Sequence, residues 1–444
     1  MAGSRGVRRV VRWGIRHGMM RRMVRRQVRA GELGARLMTD PEVVANPYPF
    51  YDELRSRGRL VDTGMLHATV DHEVCTQVLR SPDFGVGGRM PENLPGVVRA
   101  ALALGGSWAL GPAQPPSMLA SDPPDHTRYR KLVTRAFSAK KVAALRSRAE
   151  EIAVELLDAM AARSSAQGDR ADLVKDFAAL LPATVIAEML GAPVSMREQF
   201  LVWGEGAAIS LDAGLSYADF RRSERDIDAL HTWMLGHFGR IRREPGEDIL
   251  SALVTAHDEG GALTEDELSS IAMLLLAAGF ETTVNLIGSG AALLLDHPDQ
   301  LELLHAEPER WPVAIDEMLR FESPVQRTGR VAERDTEVGG VPVKRGTFVI
   351  THLGGANRDP AVFPDPHRFD VTREEAHKHL AFSQGIHFCL GAALARMEGE
   401  VALRALVDRF PDMRPAGTPV RRRTKLLRGY ESVPVELNRA SVPA

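Results

Sequence analysis

The sequence predicts a mainly α fold with a small β portion, built as a single large domain. Three observations carry this. A helical pattern runs almost unbroken from Asp125 to about Glu322. Short apolar runs separated by Gly-Gly and Lys-Arg-Gly fill 324–351 and read as strands and turns. No internal repeat or low-complexity linker follows residue 40. The 444 residues are 44% hydrophobic and 26% charged, which excludes a disordered, collagen-like or disulfide-rich chain. That length is enough for a substantial core. Cys75 and Cys389 are too few for a disulfide framework and suit a reducing, cytoplasmic compartment.

Residues 1–31 hold ten arginines and no acid. The rest of the chain has 46 basic against 58 acidic residues, so an acidic globule carries a basic arm. Such a globule is a poor nucleic-acid binder. On a helical projection Val7, Val10, Val11, Trp13 and Ile15 oppose Arg8, Arg9, Arg12 and Arg16. Past Gly18 the apolar stripe changes side. A helix of this kind can lie on an anionic membrane surface; the alternatives are a solvated extension or, more remotely, a targeting segment. Residues 1–38 are set apart as the extension and 39–444 as the main domain.

Pro and Gly cluster in 82–124, which reads as one long irregular loop of the functional kind. Thr264-Glu265-Asp266-Glu267 is a capping box, and the helix it opens runs to Asp296, before His297-Pro298. About 33 residues make it roughly 50 Å long. Its middle is apolar nearly all round, so it belongs in a large core or a membrane. A membrane span would put Glu281 and Asn285 near mid-bilayer at high cost, which favours the core. Helical pattern returns over 391–409.

The richest motif is Phe382-Ser383-Gln384-Gly385-Ile386-His387-Phe388-Cys389-Leu390-Gly391. A cysteine between glycines, just ahead of a helix, gains from the helix N-terminus and free backbone N–H groups, which depress a thiol pKa. The glycines allow tight turns and close approach to a flat ligand. A lone cysteine would instead be a buried inert one, as Cys75 is read. Gly279 lies mid-helix, where packing against a neighbour is the plain reading. For Thr282 the plain reading is a hydroxyl bonded back to the carbonyl at i−4.

The ten-residue pattern resembles the haem-binding signature of the cytochromes P450. Three further stretches match that family in the right order. Glu317-Met-Leu-Arg320 resembles its E-x-x-R motif, Ala278-Gly279-Phe280-Glu281-Thr282-Thr283 its oxygen-binding motif, and His126-Thr-Arg-Tyr-Arg130 its H-x-x-x-R pair. The resemblance covers about 39–437 and is nearest to the mycobacterial family 140. It implies the P450 fold around one haem b (iron protoporphyrin IX), with Cys389 as the thiolate ligand of the iron. It implies that Ala278 and Gly279 open the long helix over the haem and that Glu281 and Thr282 relay protons. It gives the haem propionates to His126, Arg130, His387 and Arg330, with Arg327 the competitor to Arg330. His387 stands where relatives often have Arg, which suggests a pH-sensitive contact. Glu317 and Arg320 are implied as a structural pair ordering the segment before the haem loop.

The activity implied is a monooxygenase that splits O2 and oxidises a lipophilic small molecule. Electrons would come from NAD(P)H through a ferredoxin reductase and a ferredoxin. The pocket walls implied are 84–118, 203–217, Leu274, Ala277, Val325, Gln326 and Leu427–Tyr430. Two rivals stand beside this: a haem-thiolate protein that uses peroxide or catalyses a rearrangement, and a haem carrier or gas sensor without turnover.

Overall fold

The computed structural model describes residues 2–437 apart from 31, 65, 88–113, 135, 136, 138, 167, 261 and 262. Most of the predicted long loop therefore lies outside the described residues. The arm is helical: α1 (Ala2–Trp13) and α2 (Met19–Ala30) join through a π-helical turn at Gly14–Gly18. A π turn inserts one residue into the helix, which is why the apolar stripe changes side past Gly18.

The arm is docked on the chain. Trp13 Nε1 donates to the Leu215 carbonyl at 3.0 Å, and the Leu215 N–H donates to His17 Nδ1 at 3.2 Å. Arg9 and Arg12 pair with the buried Glu224 at 2.9 and 3.0 Å. The Trp13 and His17 rings meet Tyr217 and Phe220. This corrects the reading of the arm as a solvated extension. Two arginines from the side read as polar face inward, because a buried carboxylate needs them, while Val7 and Val10 stay exposed.

Burial, with the Arg16 charge, holds the His17 imidazole down at about 4. The free ring titrates near about 6.5. Docking is therefore complete above that value and weakens as pH falls from about 6.5 toward 4. Hydrogen exchange over 214–217, corrected for its intrinsic pH dependence, is expected to accelerate at the acid end. Unchanged protection down to about pH 4 would contradict this.

Beyond the arm come α3 (Leu33–Thr39), α4 (Pro41–Ala45), α5 (Tyr48–Ser56), β1 (Val61–Asp62), β2 (His67–Thr69), α6 (His72–Arg80) and β3 (Phe84–Gly85). The predicted helical stretch resolves into α7 (Asp125–Thr134), α8 (Ala139–Ser165), α9 (Leu180–Met189), α10 (Arg197–Ser210), α11 (Tyr217–Arg243), α12 (Ile249–Gly260), α13 (Glu265–Asp296), α14 (Pro298–Ala306) and α15 (Trp311–Phe321). One short strand, β4 (Arg170–Asp172), interrupts it. The predicted strands are β5 (Thr328–Ala332), β6 (Thr336–Val338), β7 (Val341–Val343) and β8 (Phe348–Thr351). Gly339 and Gly340, at φ +58° and +80°, form the two-residue turn between β6 and β7. The chain ends with α16 (Leu353–Ala356), α17 (Ala392–Arg409), β9 (Arg414–Pro415), β10 (Val420–Arg421), β11 (Tyr430–Ser432) and β12 (Pro434–Glu436).

Helix α13 is the axis of the fold. The predicted capping box is present: Thr264 Oγ1 accepts from the Glu267 N–H, and the Glu267 carboxylate accepts from the Thr264 N–H. Helices α9, α10, α11, α15 and α17 pack around it. Its most apolar window is 83% buried in the molecule, so this helix is core and not a membrane span. The five-stranded sheet runs β1-β2-β8-β5-β3, with β2 and β8 parallel. It fixes Arg330 opposite Val349.

Candidate active site

The loop 382–391 is shaped by backbone demands. Gly385 has φ +70°, and a Cβ there would run into the Leu79 carbonyl, so only glycine fits. The Cys389 N–H donates to the Phe382 carbonyl at 2.9 Å, and the Phe388 N–H to the Gly385 carbonyl at 3.1 Å. Cys389 then stands just before the N-terminus of α17. The Gly391 N–H bonds back to the sulfur. Burial pushes the thiol above its ordinary range; the Gly391 N–H, Arg130 and Arg396 pull against it without overcoming it. The expected net depression of the thiol pKa is thereby corrected, because desolvation of the anion outweighs the helix terminus. A coordinating metal ion reverses that balance by deprotonating the thiol outright. Cys389 is densely surrounded yet keeps accessible surface. Both hold for a group on the wall of a hollow.

On α7, one turn apart, stand His126 and Arg130. The His126 ring lies 4.3 Å from the His387 ring, centroid to centroid. Burial, then the Arg330, His126 and Arg130 charges, push His387 down to about 3. His126 is lowered by burial and by Arg130. Arg330 is buried, falls to about 10 through burial, and donates to Thr328 Oγ1 and the Gly329 carbonyl. Asp122 is the acid whose charge reaches His126 and Arg330, and its carboxylate already accepts from the Val86 N–H. The Nε2 atoms of both histidines are buried without a partner among the described residues. Two guanidiniums and two orphaned imidazole nitrogens around one point fit a group that brings two carboxylates, as haem does. Arg327 acts elsewhere: its charge is felt at Tyr51, His352, Asp212 and Lys425. Within the protein, burial and two arginines favour the neutral His387 ring; a carboxylate held there acts in the opposite direction.

Midway along the buried α13, Ala278, Gly279 and Thr282 keep accessible surface. The helix is nonetheless continuous here, which corrects the expected local opening. Thr282 Oγ1 donates to the Ala278 carbonyl at 3.3 Å, the plain alternative for this residue and a long, weak bond. A Cβ at Gly279 would come within 2.9 Å of the Ile186 side chain, so helix packing accounts for the glycine. Glu281 is buried and paired with Arg422 Nη1 at 2.6 Å. Burial raises its carboxyl above the ordinary range, Arg422 works against this, and Glu205 adds to it. Arg422 was not among the residues expected here.

Glu317 and Arg320 form a fully buried pair at 2.6 Å. Arg320 donates to both Glu317 carboxylate oxygens and to the carbonyls of Asn357, Pro366 and Arg368. That employs all five guanidinium donors. Glu317 also accepts from Arg373 and from the Asp370 N–H. The pair thus ties 357–373 to α15. Of the expected pocket walls, Val325 bridges Leu427, and the Gln326 N–H donates to the Leu426 carbonyl.

Comparison with known proteins agrees with this geometry. The family model described as Cytochrome P450 matches residues 312–427. The chain is 49% identical over 415 residues to the putative cytochrome P450 140 of Mycobacterium tuberculosis, covering 93% of this chain and 94% of that protein. It is 45% identical over 331 residues to the 6-deoxyerythronolide B hydroxylase of Saccharopolyspora erythraea, covering 72% of this chain and 78% of that one. Ligand-free CYP164A2 of Mycobacterium smegmatis superposes with a TM-score of 0.81 at 35% identity, covering 91% of this chain and 99% of that chain. With fold, motif order and near full-length identity in agreement, the chain belongs to the cytochrome P450 family: it is a bacterial monooxygenase whose cofactor is haem held through a thiolate.

Proposed function

We propose that this protein inserts one oxygen atom of O2 into a bulky lipophilic small molecule, with Cys389 as the iron ligand. One observation carries the reading: a buried acid and a neighbouring hydroxyl, Glu281 and Thr282, sit at the accessible stretch of α13. Haem supplies oxygen activation when bound. The chain does the rest. Arg130, Arg330, His126 and His387 hold the propionates. Glu281 brings a proton toward the cofactor face, and Thr282 exchanges its weak bond to Ala278 for one that passes the proton on. The apolar residues around Leu274 and Ala277 exclude water and orient the substrate. Similarity to the polyketide biosynthesis cytochrome P450 PksS of Bacillus subtilis supports a polyketide-sized substrate.

Electrons arrive from NAD(P)H through a reductase and a ferredoxin, which docks on the face beside Cys389. Residues 39–444 form the catalytic unit in this reading. The outward face of the arm, where Val7, Val10, Met19, Met23 and Val28 are exposed, is the part left for peripheral membrane contact.

Replacing Thr282 with alanine tests the relay. NAD(P)H consumption is expected to continue while product per electron pair falls and peroxide rises. Unchanged coupling would remove Thr282 from the relay, and would favour a peroxide-driven or rearranging enzyme.

A further inference from the structure

We propose that Arg422 is a positioning residue that ties Glu281 to a water-sized cavity under the C-terminal hairpin, and through it to solvent. The inference rests on the relay assigned to Glu281 and Thr282, and adds where its protons enter. Arg422 reaches inward to Glu281 at 2.6 Å. Its Nε donates to the Tyr430 carbonyl at 3.2 Å, and its backbone N–H to the Gly429 carbonyl at 3.1 Å. The hairpin therefore fixes both the backbone and the guanidinium of this arginine. Arg422 also lines a cavity of about 20 Å³ with Val43, Tyr51, Gln326, Leu427 and Gly429. That is room for a water molecule. The Arg422 side chain is 18% exposed against 5% for Glu281, so the pair spans the step from interior to outside.

Asn285 gives a second, independent sign of water. It lies one turn beyond Glu281 on α13, on the same face. It is 1% exposed, and both its amide Oδ1 and Nδ2 lack partners among the described residues. An amide orphaned at both atoms in a native interior calls for ordered water. The Gly429 backbone presses on Asn285 so closely that a Cβ would collide with it. Glu281, Asn285, Arg422 and the cavity wall thus meet at one place. The charges that face Glu281 are Arg422, from the hairpin, and Glu205, from α10. Without Arg422 the balance moves further toward the neutral acid, since burial and Glu205 both favour that form.

The test uses the haem-loaded protein and infrared spectroscopy of the Glu281 carboxyl, assigned by its loss in Glu281→Gln. Arg422→Met is expected to give a protonated-carboxyl band at neutral pH and a several-fold fall in product per electron pair, with KM unmoved. Arg422→Lys is expected to restore the wild-type spectrum. Val43→Phe, which fills the cavity, is expected to lower coupling without moving the band. No new band in Arg422→Met, or full coupling in Val43→Phe, would overturn the proposal. A new band in Arg422→Met with coupling unchanged there and in Thr282→Ala would support Arg422 as the partner of Glu281 while overturning the relay itself.

Discussion

Replacing Cys389 with serine is expected to abolish product formation. Serine keeps the size and the loop, whose shape depends on Gly385 and on the Cys389 N–H bond to Phe382. It removes the only atom at this point able to act as a soft anionic ligand. Haem can still be drawn in by Arg130, Arg330, His126 and His387, and the orphaned Nε2 atoms of the two histidines do not depend on the sulfur. The expected result is therefore partial haem content with no thiolate signature in the carbon monoxide difference spectrum. Turnover should fall below detection. A surviving thiolate spectrum would direct attention to another ligand, and the one other cysteine, Cys75, is fully buried against Leu79 and Leu353. Burial pushes its thiol well above the ordinary range, so it is an inert core residue.

Arg320→Ala is expected to be the most destabilising single change. It leaves the Glu317 carboxylate with Arg373 and one backbone N–H, and takes the side-chain donor from the Asn357 and Pro366 carbonyls, while the Arg368 carbonyl keeps Arg373. Breaking a buried pair by removing one partner costs about 3–5 kcal/mol. A domain has only about 5–15 kcal/mol in total. The variant should show a lowered thermal midpoint and poor haem retention. Arg320→Lys should recover little, because an ammonium supplies three donors where five are used. A midpoint within a degree or two of wild type would show that 357–373 is ordered by other contacts.

The α13 cap and stop could be read directly because both signals are local. A capping box needs four residues and a Pro stop needs two, and both are present at Thr264 and Pro298. Strands β5 to β8 were legible for the same reason, through glycine turns between apolar runs. The motifs name the four basic residues, and the structure puts the Arg330 charge at both histidines while the Arg327 charge is felt elsewhere, at Tyr51 and His352. Interactions between distant segments were not legible. Arg422 stands among three successive arginines, and nothing local says that the second one turns inward to Glu281. The arm looked like a free amphipathic helix because Glu224, the acid that holds it, lies far away on α11. The direction of the Cys389 shift depended on burial, and burial cannot be counted from a motif.

The most direct test of the central claim is isotope-labelled O2. The haem-loaded enzyme, a ferredoxin with its reductase and NAD(P)H would be supplied with a lipophilic compound that shifts the iron spin state on binding. The account predicts one labelled oxygen atom in the product and the other in water, with one NAD(P)H oxidised for each product formed. Product oxygen derived from water, or product formed with peroxide alone and not with the electron-transfer chain, would contradict it.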